Sequence, residues 1–185
     1  MEYIIYLFVL FVMGSFLIKV SFYPIWAKAA IALVSAIFVW AITPWITEQP
    51  HDMMENVFAL RPQLLNMSVC ITLESAIMIG FCFSCITIYS KKNSRFSKAI
   101  HRWLFYYPGL MVGGVWCFLL SKILYAIPGI DFQLLPWMAS GIVLLIVSCG
   151  TELIRWLLPA DSLRLEFLFL VNLFIIILNI IITGY

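Results

Sequence analysis

Apolar residues in this chain come in long blocks of about 18 to 25, the length that crosses a bilayer core as an α-helix. Six blocks stand out: Tyr3–Val20, Ile25–Ile46, Leu65–Tyr89, Trp103–Ile127, Leu134–Leu158 and Leu163–Thr183. They do not alternate polar with apolar positions, so they do not read as β-barrel strands. The connections between them are short and leave no room for a soluble domain, a nucleotide site or a receptor module. The pattern predicts an all-α fold, a polytopic membrane helix bundle of six transmembrane helices forming a single domain over residues 1–185.

Composition points the same way. The 185 residues are 64% hydrophobic and 11% charged, with a mean hydropathy of +1.07, too few polar groups to cover a water-soluble domain. The Lys and Arg residues set an orientation. The first connection and its flanks hold Lys19 and Lys28; the third, "KKNSRFSKAIHR", holds Lys91, Lys92, Arg95, Lys98 and Arg102; the fifth holds Arg155 and Arg164. The second connection has Arg61 against Glu48, Asp52 and Glu55, and the fourth has Asp131. Basic odd loops and acidic even loops predict both termini outside the cytoplasm. The chain opens "MEYIIYLF" with no basic stretch before its first apolar run, so no cleavable signal peptide is expected. The basic third loop reads as an inside signal attracted to anionic headgroups, not as a nucleic-acid patch.

Within the spans, small and polar residues mark helix contacts. Pro108 suggests a bend, and Gly109 with Gly113 forms a Gly-x-x-x-Gly that lets another helix approach closely. Ala32 with Ala36, and Thr72, Ala76 and Gly80, make similar faces. Asn172 and Asn179 are seven apart on one face of the last span, suited to hydrogen bonding between helices. Between Pro50 and Pro62, Met53, Met54, Val57 and Phe58 fall at helical spacing, as in a short interfacial helix.

Glu74 is the main candidate for chemistry. It lies about nine residues, or roughly 13 Å, from the outer end of the third span, where an ionisable side chain marks a functional site with a partner to be found. Three answers are open: Lys122, reaching inward from the fourth span; a protonated Glu74 donating to a backbone carbonyl; or a partner subunit. Pairing and proton coupling both fit Glu74 and Lys122. Glu152 and Arg155, three apart near the inner end of the fifth span, are expected to pair; with Arg164 and Glu166 they form an inner charge cluster suited to structure or to partner docking. Cys82-x-x-Cys85 sits in the inner half of an apolar helix, where packing accounts for it better than redox or zinc chemistry. Cys70, Cys117 and Cys149 also fall inside spans. His51, Met53 and Met54 are soft enough to ligate haem iron or copper, a weak signal in an interfacial loop. No nucleophile elbow, metalloprotease motif, phosphate loop or lipid-phosphotransferase acidic pair is present, so no enzymatic activity is expected.

Several stretches together, "LIKVSF" (Leu17–Phe22), "ITEQ" (Ile46–Gln49), "LLNMSVCITLESAI" (Leu64–Ile77), "FC" (Phe81–Cys82) and "RWLLP…RLEFLFLVN" (Arg155–Asn172), resemble the HmuT-type proteins. These are small six-span proteins encoded in haem-uptake operons of anaerobic Gram-negative bacteria. The resemblance implies a multi-pass protein of the bacterial inner membrane. Its partners would be an ExbB/TolQ-like channel subunit, an ExbD-like subunit and a large chelatase-like protein. It further implies a complex driven by proton-motive force, with haem as transported or processed ligand and no intrinsic cofactor. No long cytoplasmic helical extension of the ExbB type is present, so this chain is not expected to be the channel subunit. An alternative class is a solute-binding permease component like the six-helix vitamin-uptake S-components, which expects a pocket on the outer side roofed by the second loop.

Overall fold

The computed structural model describes residues 2–48, 61–89, 95–126 and 134–184, and among these every regular element is an α-helix. The helices are α1 (Glu2–Ser21), α2 (Ile25–Glu48), α3 (Arg61–Tyr89), α4 (Arg95–Tyr106), α5 (Met111–Ala126), α6 (Leu135–Leu157) and α7 (Asp161–Gly184). Five stretches are long and apolar enough to cross a membrane: Ile25–Thr47, Asn66–Ile86, His101–Leu124, Leu135–Leu157 and Asp161–Ile181. Ile5–Ser21 is a shorter apolar helix. The chain is a multi-pass helical membrane protein, with each helix satisfying its own backbone in lipid.

Helix α1 runs between two packed clusters. Phe16 and Val20 meet Ala32, Val39 and Ile46 of α2, Val112, Trp116 and Leu120 of α5, and Val143 and Val147 of α6. Val9, Val12 and Ile18 meet Phe81 and Cys82 of α3, Val115 of α5, and Leu168, Val171 and Ile175 of α7. Helices α1 and α5 therefore serve both clusters, with α2 on α6 to one side and α3 on α7 to the other. Small residues allow the close approaches that hold helices together where lipid is as apolar as the core. Ala32 and Ala36 are buried, and a Cβ on Gly150 of α6 would lie 3.0 Å from Leu17 of α1. Large apolar side chains such as Leu10, Trp26, Trp156 and Ile180 face outward, as a lipid-facing surface requires.

The structure departs from the sequence pattern in the fourth apolar block. Trp103–Ile127 is not one helix: α4 starts earlier, at Arg95 inside the basic connection, and residues 107–110 interrupt the span between α4 and α5. Pro108 has no N–H and turns Tyr107 away from helical geometry. Gly109 then adopts φ 104°, a conformation that side-chain-bearing residues rarely take. The Gly109/Gly113 pair consequently does not line one groove. Gly109 lies in the break against Glu74 and Met78 of α3, whereas Gly113 packs on the Phe38 ring of α2.

Candidate functional site

A break inside a membrane span leaves carbonyls at the end of one half-helix and N–H groups at the start of the next without helical partners. Hydrocarbon offers no water to satisfy them. Here two charged side chains meet these ends. Glu74 stands midway along α3, and its Oε2 accepts from the backbone N–H of Leu110 at 3.0 Å and of Met111 at 2.8 Å. Lys19 of α1 is fully buried, and its Nζ donates to the Leu104 carbonyl at 3.0 Å. The same ammonium lies 2.7 Å from the centroid of the Phe81 ring and 6.0 Å from that of Phe105, which adds cation–π attraction in a desolvated setting. An anion at the start of α5 and a cation at the end of α4 both match the sign of the helix dipoles. Bonds of this charge-assisted kind contribute about 1.5–3 kcal/mol each.

The second carboxylate oxygen of Glu74 is left over. Oε1 points toward Gly109, where an added Cβ would lie 2.8 Å from it. Beside it is a cavity of about 20 Å³ whose polar lining is Glu74 and Ser75 of α3, Ser15 of α1 and Asn172 of α7. Asn172 is buried and donates its Nδ2 to Ser15 Oγ at 2.9 Å and to the Leu168 carbonyl at 2.8 Å. Ser75 is only 3% exposed. Among the described residues the buried side-chain polar atoms without a hydrogen-bond partner lie elsewhere, on Tyr23, Trp116 and Arg164. The volume is about that of one water molecule. Three helices and the break thus converge on a small space that these four residues share with apolar side chains such as Val12, Ile71, Met78 and Ile175.

Toward the α4 side of the break, Phe81 stacks on the His101 ring at 6.1 Å, and His101 Nδ1 lies 3.1 Å from Ser84 Oγ. Cys82 donates its thiol to the Leu165 carbonyl at 3.7 Å, and the five cysteines are free.

Lys122 does not pair with Glu74. It is exposed, and its Nζ lies 5.9 Å from the Phe118 ring centroid. The break explains this, because it brings residues 110 and 111 level with Glu74 and leaves Lys122 three helical turns away, about 17 Å along α5. The expected Glu152–Arg155 pair forms, and the inner charges also find partners on other helices. Glu152 accepts from Lys28 of α2 at 2.8 Å, while Arg155 stands 3.8 Å off. Arg164 is buried, pairs with Asp161 and donates to the Ser21 carbonyl at the end of α1 at 3.2 Å. Its guanidinium carbon also lies 5.1 Å from the Phe22 ring centroid. Glu166 is exposed and borders a groove of about 860 Å³ along α3 and α7 that Phe83, Ile86, Phe169 and Leu170 make apolar. Asn179 donates to the Ser68 hydroxyl and carbonyl at 2.8 and 3.0 Å, tying α7 to α3. His51, Met53 and Met54 lie outside the described residues.

Sequence reasoning missed Lys19, Ser15 and Ser75 as parts of this site. Ser15 and Lys19 are four apart, hence on one face of α1, and that spacing was the available signal. Comparison with family models, with curated proteins and with solved structures gives no match for this chain.

Proposed function

We propose that this chain is an integral-membrane subunit that couples proton movement to the work of partner subunits, with Glu74 as the group that takes up and releases the proton. The observation that carries this reading is the interrupted span: a half-helix start held against a mid-membrane carboxylate that borders a small cavity. Transporters place coupling-ion sites at such discontinuous helices, and ionisable residues at this depth mark ion pathways.

On the resemblance drawn from the sequence, the complex is a proton-motive-force-driven assembly of the bacterial inner membrane. Its partners are ExbB/TolQ-like, ExbD-like and chelatase-like subunits, its cargo is haem or another tetrapyrrole, and the chain acts as an interaction subunit without catalysis of its own. Six spans with both termini outside the cytoplasm fit this reading. The charges of the first and fifth connections meet at one end of the bundle through Lys28–Glu152 and Arg164–Ser21, in agreement with a basic cytoplasmic side.

The test is gentle-detergent purification of the tagged chain from its native membrane, with mass spectrometry of what co-purifies, followed by the same with Glu74→Gln. Recovery of ExbB-like and chelatase-like proteins with both forms, and loss of proton-driven uptake only in the variant, is expected. Recovery with an ATP-hydrolysing module, or undiminished uptake by Glu74→Gln, contradicts the reading.

A further inference from the structure

The tryptophans of this chain are placed unevenly. Five of the seven, Trp26, Trp40, Trp45, Trp137 and Trp156, lie on α2 and α6, and none lies on α1, α3 or α7. Helices α2 and α6 pack side by side and run in opposite directions, since Lys28 meets Glu152 at one end and Trp40 meets Trp137 at the other. From this we infer that the α2–α6 side is the face this subunit keeps against lipid, and that it fits a hydrocarbon core of about 28 Å. The inference rests on the membrane-spanning fold and is independent of the proton reading of Glu74.

The spacing gives the thickness. Trp26 and Trp45 are nineteen residues apart on α2, and Trp137 and Trp156 are nineteen apart on α6. Each pair is thus separated by about 28 Å along its helix, and any tilt of the helix shortens that distance across the bilayer. All four residues are well exposed, from 57% for Trp45 to 88% for Trp26. An exposed indole at a helix end keeps its ring in the apolar layer and its N–H among headgroups, which is why tryptophan collects at both edges of a bilayer. Helix α1 agrees, because its apolar stretch Ile5–Ser21 covers about 25 Å.

A protein partner on this face would leave a different pattern. Tryptophans that anchor a protein interface cluster near its centre, whereas here they mark the two ends. The middle of the face is mostly aliphatic, with Leu33, Val34 and Ile37 of α2 and Ile142, Leu144 and Leu145 of α6 all exposed. The exposed charges of α6, Glu152 and Arg155, stand within about one turn of Trp156, at the edge where headgroups lie. Lys28, two residues past Trp26, is engaged by Glu152 at that same edge.

The test is tryptophan quenching in phosphatidylcholine vesicles brominated either near the carbonyl end of the acyl chains or near the methyl end. The sample is the tagged full chain with whatever co-purifies from its native membrane. Each tryptophan is read as the difference between wild type and its own replacement (Trp26→Phe, Trp45→Phe, Trp137→Phe or Trp156→Phe), so that tryptophans of other subunits cancel. All four are expected to lose emission mainly to the shallow bromines, while buried Trp116, read through Trp116→Phe, loses it to neither lipid. Emission from the four that escapes both lipids means that protein covers the face, and emission lost chiefly to deep bromines means that they do not mark its edges. Either result overturns the lipid face. The thermal midpoint of the same sample is expected to peak in bilayers with a hydrocarbon core of about 28 Å and to fall in thinner and thicker ones. A midpoint that still climbs beyond about 35 Å overturns the fit.

Discussion

Lys19 and Glu74 act on opposite ends of one interrupted helix: Lys19 donates to Leu104 at the end of α4, and Glu74 accepts from Leu110 and Met111 at the start of α5. The two charges, on different helices, hold open a break that lipid alone would not tolerate. The buried cation and the carboxylate are each justified by backbone groups and not by one another.

Replacing Lys19 with Met keeps the length and apolar stem of the side chain but removes the donor to Leu104 and the cation on Phe81. The lost charge-assisted bond outweighs the relief of an unburied charge, and a destabilisation of about 2 kcal/mol is expected. Reversible unfolding in mixed micelles measures it. A Lys19→Met protein as stable as the parent would show that the ammonium does not hold the break.

Gly109→Ala combines two costs. Its backbone is at φ 104°, and the new Cβ would meet Glu74 Oε1 at 2.8 Å and Met78 Cε at 3.2 Å. Backbone strain of this kind costs about 1–3 kcal/mol, with the steric part added. Because the steric part needs Glu74, a double-mutant cycle with Glu74→Ala is expected to be non-additive, Gly109→Ala costing less in the Glu74→Ala background. Strict additivity would mean that the two residues are not in contact.

Glu152 bridges α6 to α2, and its two basic neighbours are unequal. Lys28 is 2.8 Å away with a side chain only 9% exposed, while Arg155 is 3.8 Å away and 45% exposed. Glu152→Gln is expected to cost about 1 kcal/mol by leaving Lys28 short of a partner, and Arg155→Gln a few tenths. Thermal midpoints at low and high salt check the order.

Asn172→Ala and Asn179→Ala are each expected to destabilise by about 0.6–1.7 kcal/mol, but through different helices. Asn179→Ala is non-additive with Ser68→Ala, its partner on α3, and additive with Ser15→Ala. Asn172→Ala shows the reverse pattern, because Ser15 of α1 is its acceptor.

The helical membrane class was legible in the sequence because apolar block length depends on bilayer thickness and not on tertiary detail. Pro108 and Gly109 announced an irregularity, yet a bend and a full interruption differ only in where the freed backbone groups go. That depends on Glu74 and Lys19, 34 residues upstream and 85 residues upstream of their respective neighbours Pro108 and Leu104. Lys19 read as a mark of topology because its count in a basic loop could not reveal its burial. Lys122 was the natural partner for Glu74 if the fourth span were an unbroken helix, and the break removes that premise. For Glu152 the local pair with Arg155 was legible in the sequence, whereas Lys28 and, for Arg164, Ser21 come from distant helices through packing.

The account turns on whether Glu74 exchanges a proton inside the bundle. Infrared difference spectroscopy of the full chain in lipid, recorded across a pH step in wild type and Glu74→Gln, measures this directly. A carboxyl C=O band that appears on acidification in wild type, shifts in Ser75→Ala and is missing from Glu74→Gln is the expected result. Identical difference spectra for wild type and Glu74→Gln, over the whole pH range in which both remain folded, would contradict it and leave Glu74 as a cap for α5 and nothing more.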